Sequence, residues 1–140
     1  LAPDAEYVAY DVDGELIAFL DAFLPLVPVR GRAEVRDVVR HPLTDEADLA
    51  LVLKALPCLD QLDPAAGARL LDTIAARALL VSFPVRSLGG REKGMAATYE
   101  ARFAALVAGR GWSVRRFRFA TELAFLVEKE PGGGGGGPGA

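Results

Sequence analysis

The stretch that decides the fold of this protein is Ser113-Val-Arg-Arg-Phe-Arg-Phe-Ala-Thr-Glu-Leu-Ala-Phe-Leu-Val-Glu-Lys129. It holds two apolar segments, Ser113–Phe119 and Glu122–Lys129, that are separated by two residues. Parallel strands need a crossover of about a dozen residues or more, so two strands this close together should pair antiparallel. The sequence therefore predicts that an antiparallel hairpin closes the folded part of the chain.

Upstream of this hairpin, strand patterns and helix patterns alternate along the chain. Apolar runs predict strands at Ala5–Val12, Arg32–Val38, Asp48–Leu56 and Ala78–Phe83. Helical spacing predicts one helix that Asp13 caps and that Pro25 and Pro28 end, and two further helices at Pro64–Ala76 and Gly94–Gly109. Such alternation is typical of an α/β fold built on a mostly parallel sheet.

Charged residues follow the predicted strands one by one. Asp11 and Asp37 come at the ends of the first two strands, and Lys54 comes near the end of the third. Ligands of open α/β sheets bind at the carboxyl ends of the strands, so these three residues are candidate binding residues. Taken singly, each is equally compatible with a helix cap, a solvated loop acid or a lysine whose charged end reaches solvent.

The segment after the fourth predicted strand is rich in arginine, lysine and glycine. It reads Ser82-Phe-Pro-Val-Arg-Ser-Leu-Gly-Gly-Arg-Glu-Lys-Gly-Met95, and its cations are Arg86, Arg91 and Lys93. Guanidinium and ammonium groups bind phosphate oxygens, and glycines allow the backbone to approach a ligand closely. The segment therefore predicts a loop that holds a polyanion.

Composition limits the class of protein. With 140 residues, 51% hydrophobic and 25% charged, the chain is expected to form one globular domain. No apolar run is long enough to cross a membrane and no signal peptide is apparent, which predicts a cytoplasmic protein. The only cysteine is Cys58 and the only histidine is His41, so no metal site is expected.

The net charge of -3 conceals an uneven distribution. Residues 1–63 carry 13 acidic and 5 basic side chains, whereas residues 64–140 carry 6 acidic and 11 basic ones. The acidic half suits a hydroxyl-rich or cationic ligand, and the basic half suits phosphate. Two different partners are therefore expected for the two halves.

Five motifs add a family resemblance to this interpretation. In order and spacing they resemble the 16S ribosomal RNA (guanine-1405-N7) methyltransferases that confer aminoglycoside resistance. The motifs are Tyr10-Asp-Val-Asp13, Val35-Arg-Asp-Val38, Leu53-Lys-Ala-Leu-Pro-Cys58, the segment Ser82–Met95 and Thr121-Glu-Leu123. The resemblance covers about residues 5 to 129, and it implies the carboxyl-terminal part of a class I S-adenosylmethionine-dependent methyltransferase, a Rossmann-like α/β fold that ends in an antiparallel hairpin.

The resemblance implies a role for each matching residue. Asp11 matches the carboxylate that binds the ribose hydroxyls of S-adenosylmethionine, and Asp37 matches the residue that meets the adenine amino group. Lys54 matches a basic residue near the target nucleotide, and Glu122 matches an acid at the mouth of the active site. Arg91 matches a residue that engages ribosomal RNA in the 30S subunit, and its loop neighbours Arg86 and Lys93 are expected to contact RNA phosphates as well.

The chain also departs from the family pattern. It begins where the first strand of the family's sheet should already have ended, and no Gly-x-Gly loop precedes Asp11. In the class I strand order the absent strand would lie between the Asp11 strand and the Asp48–Leu56 strand. We therefore expect residues 1–130 to be a partial catalytic domain with exposed strand edges, followed by a flexible glycine-rich tail at 131–140. The 140-residue chain alone is expected to be inactive.

The chemistry implied by the resemblance needs no general base. Guanine N7 carries an in-plane lone pair and attacks a methyl group without losing a proton, so alignment of the reactants supplies most of the catalysis. Two alternatives stay open at this point: a noncatalytic module that binds ribosomal RNA, and another nucleotide-dependent α/β enzyme, such as a dehydrogenase in which Asp11 binds a nicotinamide ribose. The closing hairpin and the absence of a glycine fingerprint argue against the dehydrogenase.

Overall fold

The structure is a computed structural model that describes residues 4–85 and 91–129, with the backbone alone for residues 91–94. The chain divides into two compact units, and the division falls between His41 and Pro42. The first unit contains β1 (Glu6–Asp11), α1 (Gly14–Phe23), a short 3-10 helix (Leu24–Leu26) and β2 (Arg30–Val35). The second unit contains β3 (Glu46–Leu53), α2 (Leu56–Leu62), α3 (Ala66–Thr73), β4 (Ala75–Pro84), α4 (Arg91–Val107), β5 (Ser113–Arg118) and β6 (Glu122–Glu128).

In the first unit, β1 and β2 pair in parallel and α1 connects them. The register runs from Glu6 opposite Arg30 to Asp11 opposite Val35. Asp13 caps α1, because its Oδ1 accepts hydrogen bonds from the amides of Glu15 at 3.0 Å and Leu16 at 3.2 Å. The predicted strand, cap and helix are thus confirmed.

The β1–β2 pair depends on a glycine, and this gives a testable prediction. A Cβ added at Gly31 would lie 2.6 Å from the carbonyl oxygen of Tyr7, its ladder partner, so the backbone would have to move. We expect Gly31→Ala to destabilise the first unit by about 1–3 kcal/mol, as overpacking does elsewhere. Hydrogen exchange of the β1 and β2 amides measures the loss of protection.

Gly14→Ala is the matched control for this substitution. A Cβ at Gly14 meets nothing within 4 Å, and an alanine suits the first turn of α1 better than glycine does. We expect it to leave the protection of β1 and β2 intact. Equal protection in the Gly31→Ala and Gly14→Ala proteins would show that the close approach at Gly31 does not matter.

In the second unit, four strands form a mixed sheet in the order β3-β4-β6-β5. β3 and β4 are parallel, whereas β6 runs antiparallel to both β4 and β5. The closing hairpin is therefore confirmed, with Ser113 opposite Glu128 at one end and Arg118 opposite Leu123 at the other. β6 lies between β4 and β5 in the sheet, so the order of the strands in the sheet differs from their order in the chain.

An aromatic cluster forms the core between α4 and this sheet. The Phe103 ring of α4 stacks on Phe125 with centroids 4.3 Å apart and meets the edge of Phe83 at 5.9 Å. Tyr99, one helical turn earlier, stacks on Phe83 at 4.8 Å. Phe103 is only 1% exposed, so α4 is held to β4 and β6 by a dry contact.

The opposite side of β3 is exposed. Leu49, Leu51 and Leu53 are 50%, 45% and 55% accessible, whereas Val52, on the other face of the strand, is buried. Within the described residues β3 pairs only with β4, and β1 pairs only with β2. These apolar side chains of β3 are therefore exposed, and the described strands form two sheets, β1-β2 and β3-β4-β6-β5.

Several predicted boundaries are wrong. β3 ends at Leu53 rather than Leu56, and Pro57 lies in the first turn of α2 instead of ending a strand. A proline lacks the amide hydrogen that the first turn of a helix leaves unbonded, so it is well tolerated there. β4 begins at Ala75, three residues before the predicted start, and α4 begins at Arg91, three residues before Gly94.

A charged cluster ties the end of α3 to the loop after α4. The Arg110 guanidinium bonds both carboxylate oxygens of Asp72, at 2.6 and 2.8 Å, and this lowers the pKa of Asp72. Lys129 donates to the Ile74 carbonyl at 2.6 Å, and burial lowers the pKa of its ammonium group. Both cations lie over the Trp112 ring, so Trp112 serves packing.

The predicted tail at 131–140 lies outside the described residues. Among the helices that the structure describes, none has both the length and the apolar character needed to cross a bilayer.

Candidate functional site

In the first unit, the parallel pairing places Asp11 and Asp37 at the same end of the two-stranded sheet, where both strands have their carboxyl ends. Asp11 is the last residue of β1, and Asp37 follows β2 by two residues. The Arg36 amide extends the ladder, because it donates to the Asp11 carbonyl at 2.8 Å. The sequence predicts Asp37 at the end of a strand that runs to Val38. Because β2 ends at Val35, Asp37 lies instead in the turn that follows the strand.

The Asp11 carboxylate has acceptor capacity left for a ligand. Its Oδ1 accepts one hydrogen bond, from the Asp13 amide at 2.9 Å. This is the one hydrogen bond that the described residues make to this side chain. An ionised carboxylate offers about four lone-pair sites. The short turn therefore fixes the orientation of the carboxylate and leaves Oδ2 for further donors.

The Asp37 side chain organises the turn that it begins. Its Oδ1 accepts from the amides of Val39 at 3.0 Å and Arg40 at 3.4 Å, and the Asp37 carbonyl accepts from His41 at 2.8 Å. Its Oδ2 lies 3.8 Å from Nε of Arg40, an exposed side chain. Oδ1 of Asp37 thus has a structural role in an Asx turn. Oδ2 faces only the exposed guanidinium group of Arg40.

In the second unit, Lys54 ends β3 in an unusual conformation. Among the described residues other than glycine, it is the one with a positive φ, at 57°. A left-handed conformation costs a residue with a Cβ about 1–2 kcal/mol and is concentrated at functional sites. The next residue, Ala55, is already in the helical region and precedes α2. Lys54 and Ala55 therefore form the short connection between β3 and α2.

The side chain of Lys54 meets Glu122, the first residue of β6. The ammonium nitrogen lies 3.5 Å from Glu122 Oε2, and the two side chains are 56% and 37% exposed. An exposed pair of this kind contributes at most about 1 kcal/mol to stability. The structure thus brings together two residues that the sequence singled out separately, and both remain accessible to solvent.

Ser82 belongs to the motif Ser82–Met95 but is not among the predicted site residues. It is the one buried polar residue among those described, at 4% exposure. Its carbonyl oxygen and its Oγ both accept the Lys54 amide hydrogen, at 3.0 and 3.2 Å. The signal in the sequence is a hydroxyl within the otherwise apolar run Ala78–Phe83.

The three cations of the predicted phosphate loop are located only in part. Arg86 lies outside the described residues, and the side chains of Arg91 and Lys93 are not described. The backbone places Arg91 and Lys93 in the first turn of α4, so their assignment to a loop is wrong. Arginine, glutamate and lysine all favour helices, which explains why the helix begins before Gly94.

The structure therefore assembles two pairs of candidate residues, one in each unit. Asp11 and Asp37 form an acidic pair in the first unit, and Lys54 and Glu122 form a mixed-charge pair in the second. No group of three or more histidine, cysteine, aspartate or glutamate residues suited to a metal ion occurs within residues 4–85 and 91–129.

Comparison with known proteins identifies similar sequences over almost the whole chain. Residues 1–126 match the profile of the ribosomal RNA methyltransferase family FmrO. A 16S rRNA (guanine(1405)-N(7))-methyltransferase of Frankia casuarinae is 42% identical over 130 residues, which are 92% of this chain and 46% of the relative. The enzyme of the same name from Micromonospora echinospora is 34% identical over 129 residues, 92% of this chain and 47% of the relative.

A solved structure agrees with this match. The 16S rRNA methyltransferase RmtF, in complex with S-adenosyl-L-homocysteine, is 33% identical, with a TM-score of 0.80 over 86% of this chain and 46% of that one. The strands described above thus have the class I S-adenosylmethionine-dependent methyltransferase fold. The chain spans about half the length of the curated relatives that it matches.

Proposed function

Because this chain belongs to the FmrO family of ribosomal RNA methyltransferases, we propose that it forms part of an enzyme that methylates N7 of guanine 1405 in 16S rRNA. The single observation that carries the proposal is the family match over residues 1–126. The names of the relatives supply the target nucleotide. Methylation at this position blocks aminoglycosides, so the biological outcome is antibiotic resistance. The substrate is the 30S subunit, which places the reaction in the cytoplasm.

The acidic pair of the first unit fits the adenosine part of S-adenosylmethionine. Ribose hydroxyls and an adenine amino group are hydrogen-bond donors, and ionised carboxylates accept such donors strongly. Asp11 Oδ2 has no partner among the described residues, and Asp37 Oδ2 faces only the exposed Arg40 at 3.8 Å. We assign the ribose to Asp11 and the adenine to Asp37. When bound, the cofactor supplies the methyl group as an electrophile on its sulfonium sulfur.

The second unit supplies the RNA-binding part of the proposal. Lys54 is exposed and its ion pair with Glu122 is weak, so a phosphate oxygen competes readily for the ammonium group. Arg86, Arg91 and Lys93 follow β4 in the chain and add three further cations. These cations compensate for the few kcal/mol needed to turn a guanine out of its stack. Without RNA, the ion pair with Glu122 directs the Lys54 side chain across β4 towards β6.

The described residues meet the chemical demand of N7 methylation. Guanine N7 has a free lone pair, so no residue has to remove a proton before the transfer. The methylated ring carries a positive charge, and the Glu122 carboxylate is suited to stabilise it. The roles of the residues are thus binding and alignment rather than acid–base catalysis.

A methylation assay on ribosomal subunits tests the proposal. The protein is expressed from its complete open reading frame and incubated with 30S subunits and S-adenosylmethionine carrying a labelled methyl group. Borohydride reduction and aniline cleavage break the RNA chain at N7-methylguanine. We expect one new break at guanine 1405, and none in control subunits that carry adenine at that position.

Two other results would contradict the proposal. Label at another nucleotide would mean a different target, and absence of label would exclude methyl transfer by this protein. Binding to 16S rRNA without label, with an affinity that falls steeply as salt is raised, would identify the noncatalytic RNA-binding module considered above.

A further inference from the structure

We propose that Ser82 is a positioning residue that holds the Lys54 ammonium group in place for RNA binding during methyl transfer. The inference rests on the proposed function, because it assigns Ser82 a role through Lys54 at the same site. It concerns contacts within the second unit only: the end of β3, the carboxyl-terminal part of β4 and the start of β6.

The burial of Ser82 shows that its hydroxyl has a defined partner. A hydroxyl removed from water needs a hydrogen bond, and Ser82 is 4% exposed. Its Oγ lies 3.2 Å from the Lys54 backbone nitrogen, and its carbonyl oxygen lies 3.0 Å from the same nitrogen. The Lys54 amide is therefore shared between two acceptors of one residue.

This shared hydrogen bond occurs where the strand pairing ends. Leu53 opposite Ser82 is the last pair of the β3–β4 ladder, and Lys54 is the first residue beyond it. A regular ladder would continue here, but Lys54 turns into the left-handed region at φ 57°. A strained backbone persists only where its surroundings determine it, and the second acceptor on Ser82 is such a determinant.

The conformation of Lys54 decides where its side chain goes. Glu122 is opposite Pro84 in the β4–β6 ladder, so β4 lies between Lys54 and Glu122 in the sheet. The side chain of Lys54 spans this strand to bring its ammonium group within 3.5 Å of Glu122. Lys54 thus contacts Ser82 through its backbone amide and Glu122 through its ammonium group.

The Ser82 hydroxyl is not needed to pair the strands. The Ser82 carbonyl accepts the Lys54 amide by itself, so Ser82→Ala keeps the ladder and removes only the second acceptor. We therefore expect the strand to survive the substitution while the backbone of Lys54 loses part of its restraint. A loosened lysine misplaces its charge, and small misplacements of binding groups are costly in catalysis.

A double-mutant cycle on the protein expressed from its complete open reading frame tests the inference. The wild type, Ser82→Ala, Lys54→Gln and the double variant are compared in methylation of 30S subunits. We expect Ser82→Ala to lower kcat/KM about tenfold, as a misplaced binding group does. Lys54→Gln should lower it at least as much. The double variant should match Lys54→Gln alone, because Ser82 acts only through Lys54.

Thr73→Ala is the control for loss of a hydroxyl. Thr73 donates to the Leu70 carbonyl at 3.2 Å, at the end of α3 that precedes the amino-terminal end of β4. We expect wild-type activity from this variant. Thermal unfolding of every variant is measured alongside activity. If the role of Ser82 were merely structural, Ser82→Ala would lower stability and activity by the same factor in the wild type and in the Lys54→Gln background.

The outcomes separate the inference from the proposed function. The role of Ser82 is overturned if the loss of kcat/KM in the double variant equals the product of the two single losses, or if Ser82→Ala is fully active. Either result leaves the proposed methyl transfer intact. Full activity of Lys54→Gln overturns the role of Ser82 as well. If the wild type methylates nothing, the proposed function fails. The same four proteins are then compared by their affinity for a decoding-region RNA hairpin, which tests the role of Ser82 independently of methyl transfer.

Discussion

Replacing Phe103 with alanine is expected to lower the free energy of unfolding of the second unit by about 3–5 kcal/mol. Phe103 is 1% exposed and contacts both Phe125, at 4.3 Å between ring centroids, and Phe83, at 5.9 Å. The substitution leaves a cavity between α4 and the sheet that neighbouring rings cannot close without leaving their own positions. Because typical domains are stable by only about 5–15 kcal/mol, this change removes a large share of the total.

Urea unfolding followed by far-ultraviolet circular dichroism measures this effect. Phe119→Ala is the matched control, since Phe119 is 57% exposed and its removal should change the free energy of unfolding by less than about 1 kcal/mol. Similar transition midpoints for both variants would show that the aromatic cluster is not the core of this unit. It would also remove the reason to regard α4 as firmly held to the sheet.

The second large effect is expected at Asp11. In the protein expressed from its complete open reading frame, Asp11→Ala should raise the Kd for S-adenosylmethionine by about 100-fold or more. Two ribose hydroxyls donating to one carboxylate form charge-assisted hydrogen bonds of about 1.5–3 kcal/mol each. Asp11→Asn should have an intermediate effect, because its amide oxygen still accepts the Asp13 amide while the charge is lost.

Calorimetric titration with S-adenosylmethionine measures both variants. Asp21→Asn, a change at an exposed position of α1, is the control and should bind like the wild type. Unchanged affinity of Asp11→Ala, with the fold intact by circular dichroism, would mean that Asp11 does not hold the ribose. The acid would then serve only the turn that its Oδ1 forms with Asp13.

Much of the local structure follows from the sequence because its causes are local. Asp13 is followed by a helical run of apolar residues, and its side chain caps α1 as that pattern predicts. The two residues between the last apolar segments leave no room for a crossover, and β5 and β6 pair antiparallel. Asp11 likewise lies at the end of β1, as the alternation of strand and helix patterns predicts.

The wrong prediction for the end of β3 has its cause elsewhere in the molecule. The apolar run Asp48–Leu56 has no internal signal to stop it at Leu53, and Pro57 alone is compatible with either a strand end or a helix start. The strand ends where Lys54 turns to a positive φ of 57°, and there the Lys54 amide bonds to the hydroxyl of Ser82, a residue 28 positions away in sequence. Only strand pairing can bring that hydroxyl to that amide.

The sequence alone therefore predicts the six strands, the α-helices other than α2, the family and the identity of the candidate residues. Each of these depends on spacing along the chain, which is fully written in the sequence. Two features follow only from the tertiary structure: β6 lies between β4 and β5, and Lys54 meets Glu122. These features depend on hydrogen bonds and packing between residues far apart in sequence, and no local pattern encodes which distant partner a strand or an ammonium group will find.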